Sequence, residues 1–288
     1  MADDSVNYVV GIDEAGRGPV IGPMVYGICW CPEEHHQYLR EVGMNDSKQL
    51  DHAKRSELVK KLSELEETHG VGFKVTHLTP EFLSEKMLAI PRTANLNSVS
   101  HEAAASLINH VVSLGHHVTH AYIDTVGDPG RYAEFLRQRI PQHIKLTVEP
   151  KADGTYPVTA AASIAAKTSR DSAVEELCEG EAIGPDWVAK ASESMGTADP
   201  GPVVTGSGYP GDPKTKAFLR TYHDRVFGFP PCVRFSWKTA ERVHGEMHGV
   251  VFDFGDEDDA TGPGMGAIMQ NRPLLFRRKR VNRLKRVT

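Results

Sequence analysis

Gly11-Ile12-Asp13-Glu14-Ala15-Gly16-Arg17-Gly18 closes an apolar run that begins at Tyr8. The run predicts a strand, and two adjacent acids end it. Carboxylates gathered at a buried strand end repel each other and lose hydration, so they call for a neutralising cation or a proton. In the turn that follows, glycines on both sides of Arg17 let backbone amides approach a ligand closely and set a guanidinium beside it. The octet points to a metal next to a gripped polyanion.

Working outward, residues 6–13 and 20–30 read as two strands joined by the Gly-Arg-Gly-Pro turn, and residues 70–76 as a third. Leu58, Val59, Leu62 and Leu65 recur at helical spacing within residues 50–67, with Gly70 as a stop. Thr79-Pro80 opens a short helix, with threonine as cap and proline in the first turn. Ala103, Leu107, Ile108, Val111 and Leu114 mark the buried side of a helix over 98–114, ended by Gly115, and a strand follows from His117 to Asp124. A helix near 130–139, a strand near 143–149, an alanine-rich helix over 157–178 able to pack closely, and a helix at Asp212-Pro213 complete the pattern. Residues 193–208 read as a loop, and Ser236 as the cap of the last core helix. Hairpin-like strands followed by alternating helix and strand predict an α/β fold, a mixed sheet flanked by helices. The core domain is expected over 1–248, with 249–288 a helical or tail extension that serves as a tail or partner-binding segment.

A chain of 288 residues with 40% hydrophobic and 25% charged content fits one large globular domain plus an extension. No apolar stretch reaches membrane-spanning length, and the acidic start is neither a secretory nor a transit peptide. Four cysteines without a Cys-x-x-Cys favour a reduced intracellular protein over a disulfide scaffold or zinc site. The fourteen histidines show no metal-ligand spacing and read mostly as surface residues. The net charge of −5 conceals seven Lys/Arg between Arg277 and Arg286, preceded by the acidic run Asp256 to Asp259. The basic stretch reads as a nuclear-targeting or nucleic-acid-contacting segment, or as a solvated end.

Asp124 ends its strand as Asp13 ends its own, and strand ends collect the site in open α/β sheets. If the two strands are neighbours, Asp13, Glu14 and Asp124 meet, and Asp153 before the alanine-rich helix is a candidate fourth. Taken singly, Asp124 or Asp153 reads more often as a capping or turn aspartate. Together with the octet they suit hard divalent cations, which prefer a few carboxylates plus water and phosphate oxygens. A two-metal centre is the usual use of such a cluster.

Gly11 to Pro19 resembles the opening motif of type 2 ribonuclease H, the ribonuclease HII family. The resemblance continues through Asp46-Ser47-Lys48, Asn95-Leu96-Asn97-Ser98, Ile123 to Gly127, Lys151-Ala152-Asp153, Ser163 to Lys167, Gly206 to Pro210 and Arg234-Phe235-Ser236-Trp237. These blocks keep the family's order across about residues 6–240 and are closer to its eukaryotic-type catalytic A subunit than to the bacterial single-chain enzyme. The resemblance implies a ribonuclease H-like fold, hydrolysis of the RNA strand of RNA/DNA hybrids, and incision of duplex DNA 5′ of single embedded ribonucleotides. It carries Asp13, Glu14, Asp124 and Asp153 over as catalytic, metal-binding carboxylates for Mg2+ or Mn2+, two ions with substrate bound. It further implies two accessory subunits in a heterotrimer, a nuclear or cytoplasmic setting, and no membrane.

In the family, backbone groups of Gly16, Arg17 and Gly18 sense the ribose 2′-hydroxyl, the atom that separates RNA from DNA. Tyr209 resembles the tyrosine that bonds this hydroxyl and packs on the next sugar; without the resemblance it reads as a turn residue. Lys48 resembles a phosphate contact. Asn95, Asn97, Ser163, Lys167 and Arg170 are candidates for backbone contacts, which position a duplex without reading sequence; Lys167 and Arg170 read equally as surface ion-pair partners. A dinucleotide-binding rival fails because Gly16-x-Gly18 leads into a strand and not a helix. A non-catalytic nucleic-acid-binding scaffold of the same fold is the remaining alternative, and four intact acids weigh against it.

Overall fold

The computed structural model describes residues 6–45, 50–91, 94–178, 183–197 and 201–250. The strands β1 (Asn7–Ala15), β2 (Met24–Pro32), β3 (Gly72–Leu78), β4 (His117–Asp124) and β5 (Lys145–Glu149) form one sheet in the order β3-β2-β1-β4-β5. β1 pairs antiparallel with β2, and β2 with β3, whereas β4 runs parallel to both β1 and β5. The sheet is therefore mixed, as the sequence pattern requires. β2 is buried at all nine positions, which explains why its apolar run shows no clean alternation.

After β2 come a short 3-10 turn (Glu33–His35), α1 (His36–Glu41) and α2 (His52–His69). The side chain of Asp51 caps α2 by accepting from Lys54 N at 2.7 Å, and Gly70 ends it in the left-handed region at φ 64°. α3 (Pro80–Leu88) begins at Thr79, whose hydroxyl accepts from Phe82 N. α4 (Leu96–Ser113) buries Ala103, Leu107, Ile108 and Val111 of the expected apolar stripe; Leu114, expected with them, lies past the helix end and is exposed. α5 (Pro129–Arg137), α6 (Ala152–Thr155), α7 (Pro157–Cys178), α8 (Pro185–Met195), α9 (Pro213–Thr221) and α10 (Lys238–Glu246) follow. None of the described helices is long and apolar enough to cross a membrane.

The chain divides into two compact units. One comprises Met1–Arg17, Met24–Leu78 and Leu96–Ser172 and contains the sheet; its core joins Val9, Cys29 and Cys31 to Leu58, Leu62, Val158 and Ala162. The other comprises Gly18–Pro23, Thr79–Asn95 and Ala173–Thr288, with a core of Val20, Ile21, Phe218, Leu219, Phe229 and Val233. Buried Arg234 holds this second unit together: its Nε donates to the Gly22 carbonyl at 2.7 Å.

Three local expectations are corrected. Residues 20–23 do not begin β2: Gly22 at φ 84° breaks the strand, and Ile21 instead bridges to Val233. The loop over 193–208 starts later, because α8 runs to Met195 before Gly196 stops it at φ 65°. Trp237, not Ser236, stands at the start of α10 and makes no side-chain cap; the Ser236 hydroxyl faces Met87 Sδ at 3.8 Å. Lys48 and residues 251–288, with their acidic and basic runs, lie outside the described residues.

The alanine-rich stretch of α7 packs directly on β1 and β2 because two glycines leave room for its backbone. A Cβ on Gly11 would stand 2.3 Å from the Val158 carbonyl carbon and Thr159 N, and one on Gly27 would stand 2.5 Å from the Ala162 carbonyl oxygen. These are backbone obstacles, so neither site can relax by a rotamer change. Gly27→Ala should lower stability by about 1–3 kcal/mol or more, read as a shift of the denaturant midpoint at unchanged slope. Gly154→Ala, where a Cβ meets nothing within 4 Å, is the control and should stay close to the parent.

Candidate active site

The register of β1 against β4 builds the centre. Ile12 stands opposite Ile123, and the next residue on each strand is an aspartate. Because the strands are parallel, Asp13 and Asp124 leave the sheet at the same end. Glu14 follows Asp13, and its cross-strand partner on β2 is Tyr26. Asp153 arrives from α6, where Lys151 takes the left-handed conformation at φ 62°, rare for a side chain with a Cβ. Ala152 N donates to Asp124 Oδ1 at 3.3 Å, so the start of α6 is tied to the end of β4.

Asp13 and Asp153 are 4% and 3% exposed. Desolvation, opposed by a hydrogen bond from Ser163 and the charge of Lys167 and reinforced by Asp124 and Asp153, pushes Asp13 up to about 7. Glu14 is held well above the usual carboxylate range by burial first and then by Asp13 and Asp124, with Arg17 opposing. One acid lies in the field of the other three, and all four belong to the sheet-containing unit.

Local donors offset part of the repulsion. Glu14 N donates to Asp13 Oδ1 at 2.7 Å, and Thr125 N to Asp124 Oδ1 at 3.1 Å. Lys167 Nζ donates to Ser163 Oγ at 3.0 Å, one helical turn away on α7. Glu14 Oε2 is buried without a hydrogen-bond partner. A buried carboxyl oxygen without a hydrogen-bond partner, in the field of further carboxyl groups, fits the hard-oxygen donor set of Mg2+ or Mn2+. Among the described residues no three such side chains close on an ion by themselves; water and phosphate oxygens commonly complete a magnesium site.

The remaining predicted residues fall in different places. Gly16 bends the turn at φ 75°. The Arg17 guanidinium points to α4, where Nη1 donates to Ser100 Oγ at 2.7 Å and Nη2 donates to Asn97 Oδ1. Asn95 and Asn97 are exposed, and Arg170 pairs with Asp171 at 3.3 Å. In the second unit Tyr209 is 51% exposed, and its ring lies over Gly18, where a Cβ would stand 3.0 Å from Cε1. The turn that carries Tyr209 is fixed: Asp212 accepts from Ser207 N at 2.6 Å and Lys214 N at 2.8 Å, and Thr215 Oγ1 accepts from Gly208 N. Backbone N–H donors, Ser207 foremost, lower Asp212 to about 2.

The sequence reading did not find Tyr26, Ser100 or Tyr132, all buried beside Glu14 or Arg17. The hairpin register, which sets Tyr26 opposite Glu14, would have pointed to the first; nothing local marks the others. The histidines are also less peripheral than expected. His101 is buried and stacks on Tyr132 with ring centroids 3.9 Å apart, and buried His244 bonds His223 at 2.9 Å.

Comparison with known proteins gives a consistent result. The ribonuclease HII family profile matches residues 10–240. The A subunit of ribonuclease H2 from Bos taurus is 43% identical over 257 residues, covering 89% of this chain and 80% of that protein. The A subunit of ribonuclease H2 from Arabidopsis thaliana is 43% identical over 266 residues, covering 91% and 81%. The crystal structure of ribonuclease H2 from Pyrococcus horikoshii superposes with a TM-score of 0.64 at 32% identity, covering 83% of this chain and 98% of that one.

A carboxyl group raised to about 7 when folded, against 3.8 ordinarily, favours the folded state fully only below about pH 4 and loses that contribution as pH rises through 7. In chelator, Asp13→Asn should therefore melt above the parent at pH 8, by about 2–4 °C for each kcal/mol relieved. The gap should close as pH falls to about 4. Added Mg2+ should raise the parent's melting temperature more than the variant's. A gap independent of pH would show that Asp13 carries no buried charge.

Proposed function

The chain belongs to the ribonuclease HII family and is a nuclease of the ribonuclease H class, and on that premise we propose that it hydrolyses the RNA strand of RNA/DNA hybrids and incises duplex DNA 5′ of single embedded ribonucleotides. The observation that carries this reading is the parallel β1–β4 register, which gathers Asp13, Glu14 and Asp124 at one sheet end with Asp153 in their field. A non-catalytic scaffold would have no use for four acids held together against their repulsion.

Asp13, Glu14, Asp124 and Asp153 are the groups that would hold Mg2+ or Mn2+. When bound, the ions supply activation of water and stabilisation of the leaving oxyanion in phosphodiester hydrolysis, with a 5′-phosphate on the product. Asp13 is kept in place by Ser163 and by the Glu14 amide, so its oxygens are aimed before substrate arrives. The backbone of Gly16, Arg17 and Gly18 reads the ribose 2′-hydroxyl. Tyr209, half exposed on a rigid turn, supplies a ring to the neighbouring sugar. Lys48, Asn95, Asn97, Lys167 and Arg170 contact or steer the phosphate backbone, which positions a duplex without reading its sequence; Ser163, expected among them, is fully buried and serves Asp13 instead.

The relatives' designation as one lettered component of ribonuclease H2 supports an assembly, which we take to be a heterotrimer with two accessory subunits. Residues 1–248 form the catalytic part and 249–288 the extension. The basic stretch in that extension supports a nuclear setting for replication and repair.

The deciding experiment is cleavage, with Mg2+, of a DNA duplex carrying one ribonucleotide, using the full chain recovered with its native partners. A single cut 5′ of the ribonucleotide is expected, and Asp124→Asn should lower its rate by at least about 100-fold. An Asp124→Asn protein that cuts like the parent would sink the assignment.

A further inference from the structure

Arg17 does not extend toward a ligand. Its planar fork is spent on α4: Nη1 on Ser100 and Nη2 on Asn97, residues one helical turn apart. Ser100 is fully buried. The same turn of α4 also holds the loop after β4. Gly127 at φ 78° lies so close under Asn97 that a Cβ would stand 2.7 Å from Nδ2. One residue past Ser100, His101 Nε2 donates to the Val126 carbonyl at 3.4 Å. Its ring stacks on buried Tyr132 of α5.

Three contact points, Asn97, Ser100 and His101, thus tie down the two turns that leave the carboxylate-bearing strands. We propose that the first two turns of α4 form a brace and that Ser100 is a positioning residue acting through Arg17, a reading that rests on the proposed ribonucleotide recognition by the Gly-Arg-Gly backbone. Glycine on both sides gives that backbone close approach and also unwanted freedom. Backbone amides that must meet one hydroxyl need placement within about 0.5 Å. The only side chain in the turn supplies it. A guanidinium fork suits this task better than an ammonium, because two donors in fixed geometry define an orientation as well as a distance.

The test compares Ser100→Ala and Ser100→Thr in the full chain with its partners. Two readouts are used: backbone amide hydrogen exchange, and kcat/KM on the single-ribonucleotide duplex. Ser100→Ala should speed exchange at residues 16–18 while leaving the strands protected, and should lower kcat/KM about tenfold, as expected for a hydrogen bond to a charged group. Ser100→Thr, which keeps the hydroxyl, should restore both. Arg17→Ala should speed the same amides, and adding Ser100→Ala to it should change kcat/KM by less than about twofold. Independent, multiplying effects of the two substitutions would overturn the brace. So would parent-like exchange at residues 16–18 in Ser100→Ala. The exchange arm needs no substrate, so a parent chain that fails to cut would sink the proposed function and leave the brace to be judged separately.

Discussion

One constraint shapes the sheet's carboxylate end: Asp13 is placed where burial removes the water that would screen it, in the field of Glu14, Asp124 and Asp153. The cost is visible in Asp13 and Glu14, both displaced upward chiefly by desolvation. Parallel strands make the convergence unavoidable, since Ile12 opposite Ile123 forces the following aspartates side by side. The fold then spends backbone N–H groups on them, from Glu14, Thr125 and Ala152. These amides donate without adding a mobile side chain, so they hold the oxygens in place at little entropic cost.

The same constraint explains the glycines of the sheet. Gly27 is the cross-strand partner of Asp13, and the space it leaves lets the Ala162 carbonyl approach. The next residue of α7, Ser163, then reaches Asp13, and Lys167 reaches Ser163. A larger residue at position 27 would push α7 outward and withdraw both groups. The alanines of the helix and the glycines of the strands are therefore one device: small residues on two elements that bring a hydroxyl and a cation to a buried acid.

Sequence reading singled out the carboxylates because acids that end apolar runs are conspicuous, and the β1–β4 register brings the strand-end aspartates to one edge; it recovered α2, α4 and α7 because their periodicity or composition is strong. It failed where a tertiary contact overrode a local signal. Residues 20–23 have the β-branched composition of a strand, yet Gly22 turns the backbone and Ile21 pairs with Val233, more than 200 residues away in sequence. Ser236 looks like a cap, but its hydroxyl faces Met87 and the helix starts one residue later. Ser100 carries no signal at all: a serine inside an alanine-rich helix is ordinary, and only Arg17, 83 positions earlier, gives it meaning.

Arg17 shows how much of a motif residue's engagement lies in distant contacts that its sequence neighbours do not reveal. Between two glycines beside two acids, an arginine reads as a hand held out to a polyanion. In the fold its charge opposes the upward shift of Glu14, and its fork closes on Ser100 and Asn97. On the proposed reading, a guanidinium that anchors its own backbone serves substrate recognition indirectly, by making the flanking amides rigid. On that reading glycine supplies access, arginine removes the freedom that glycine brings, and the three residues work as a set.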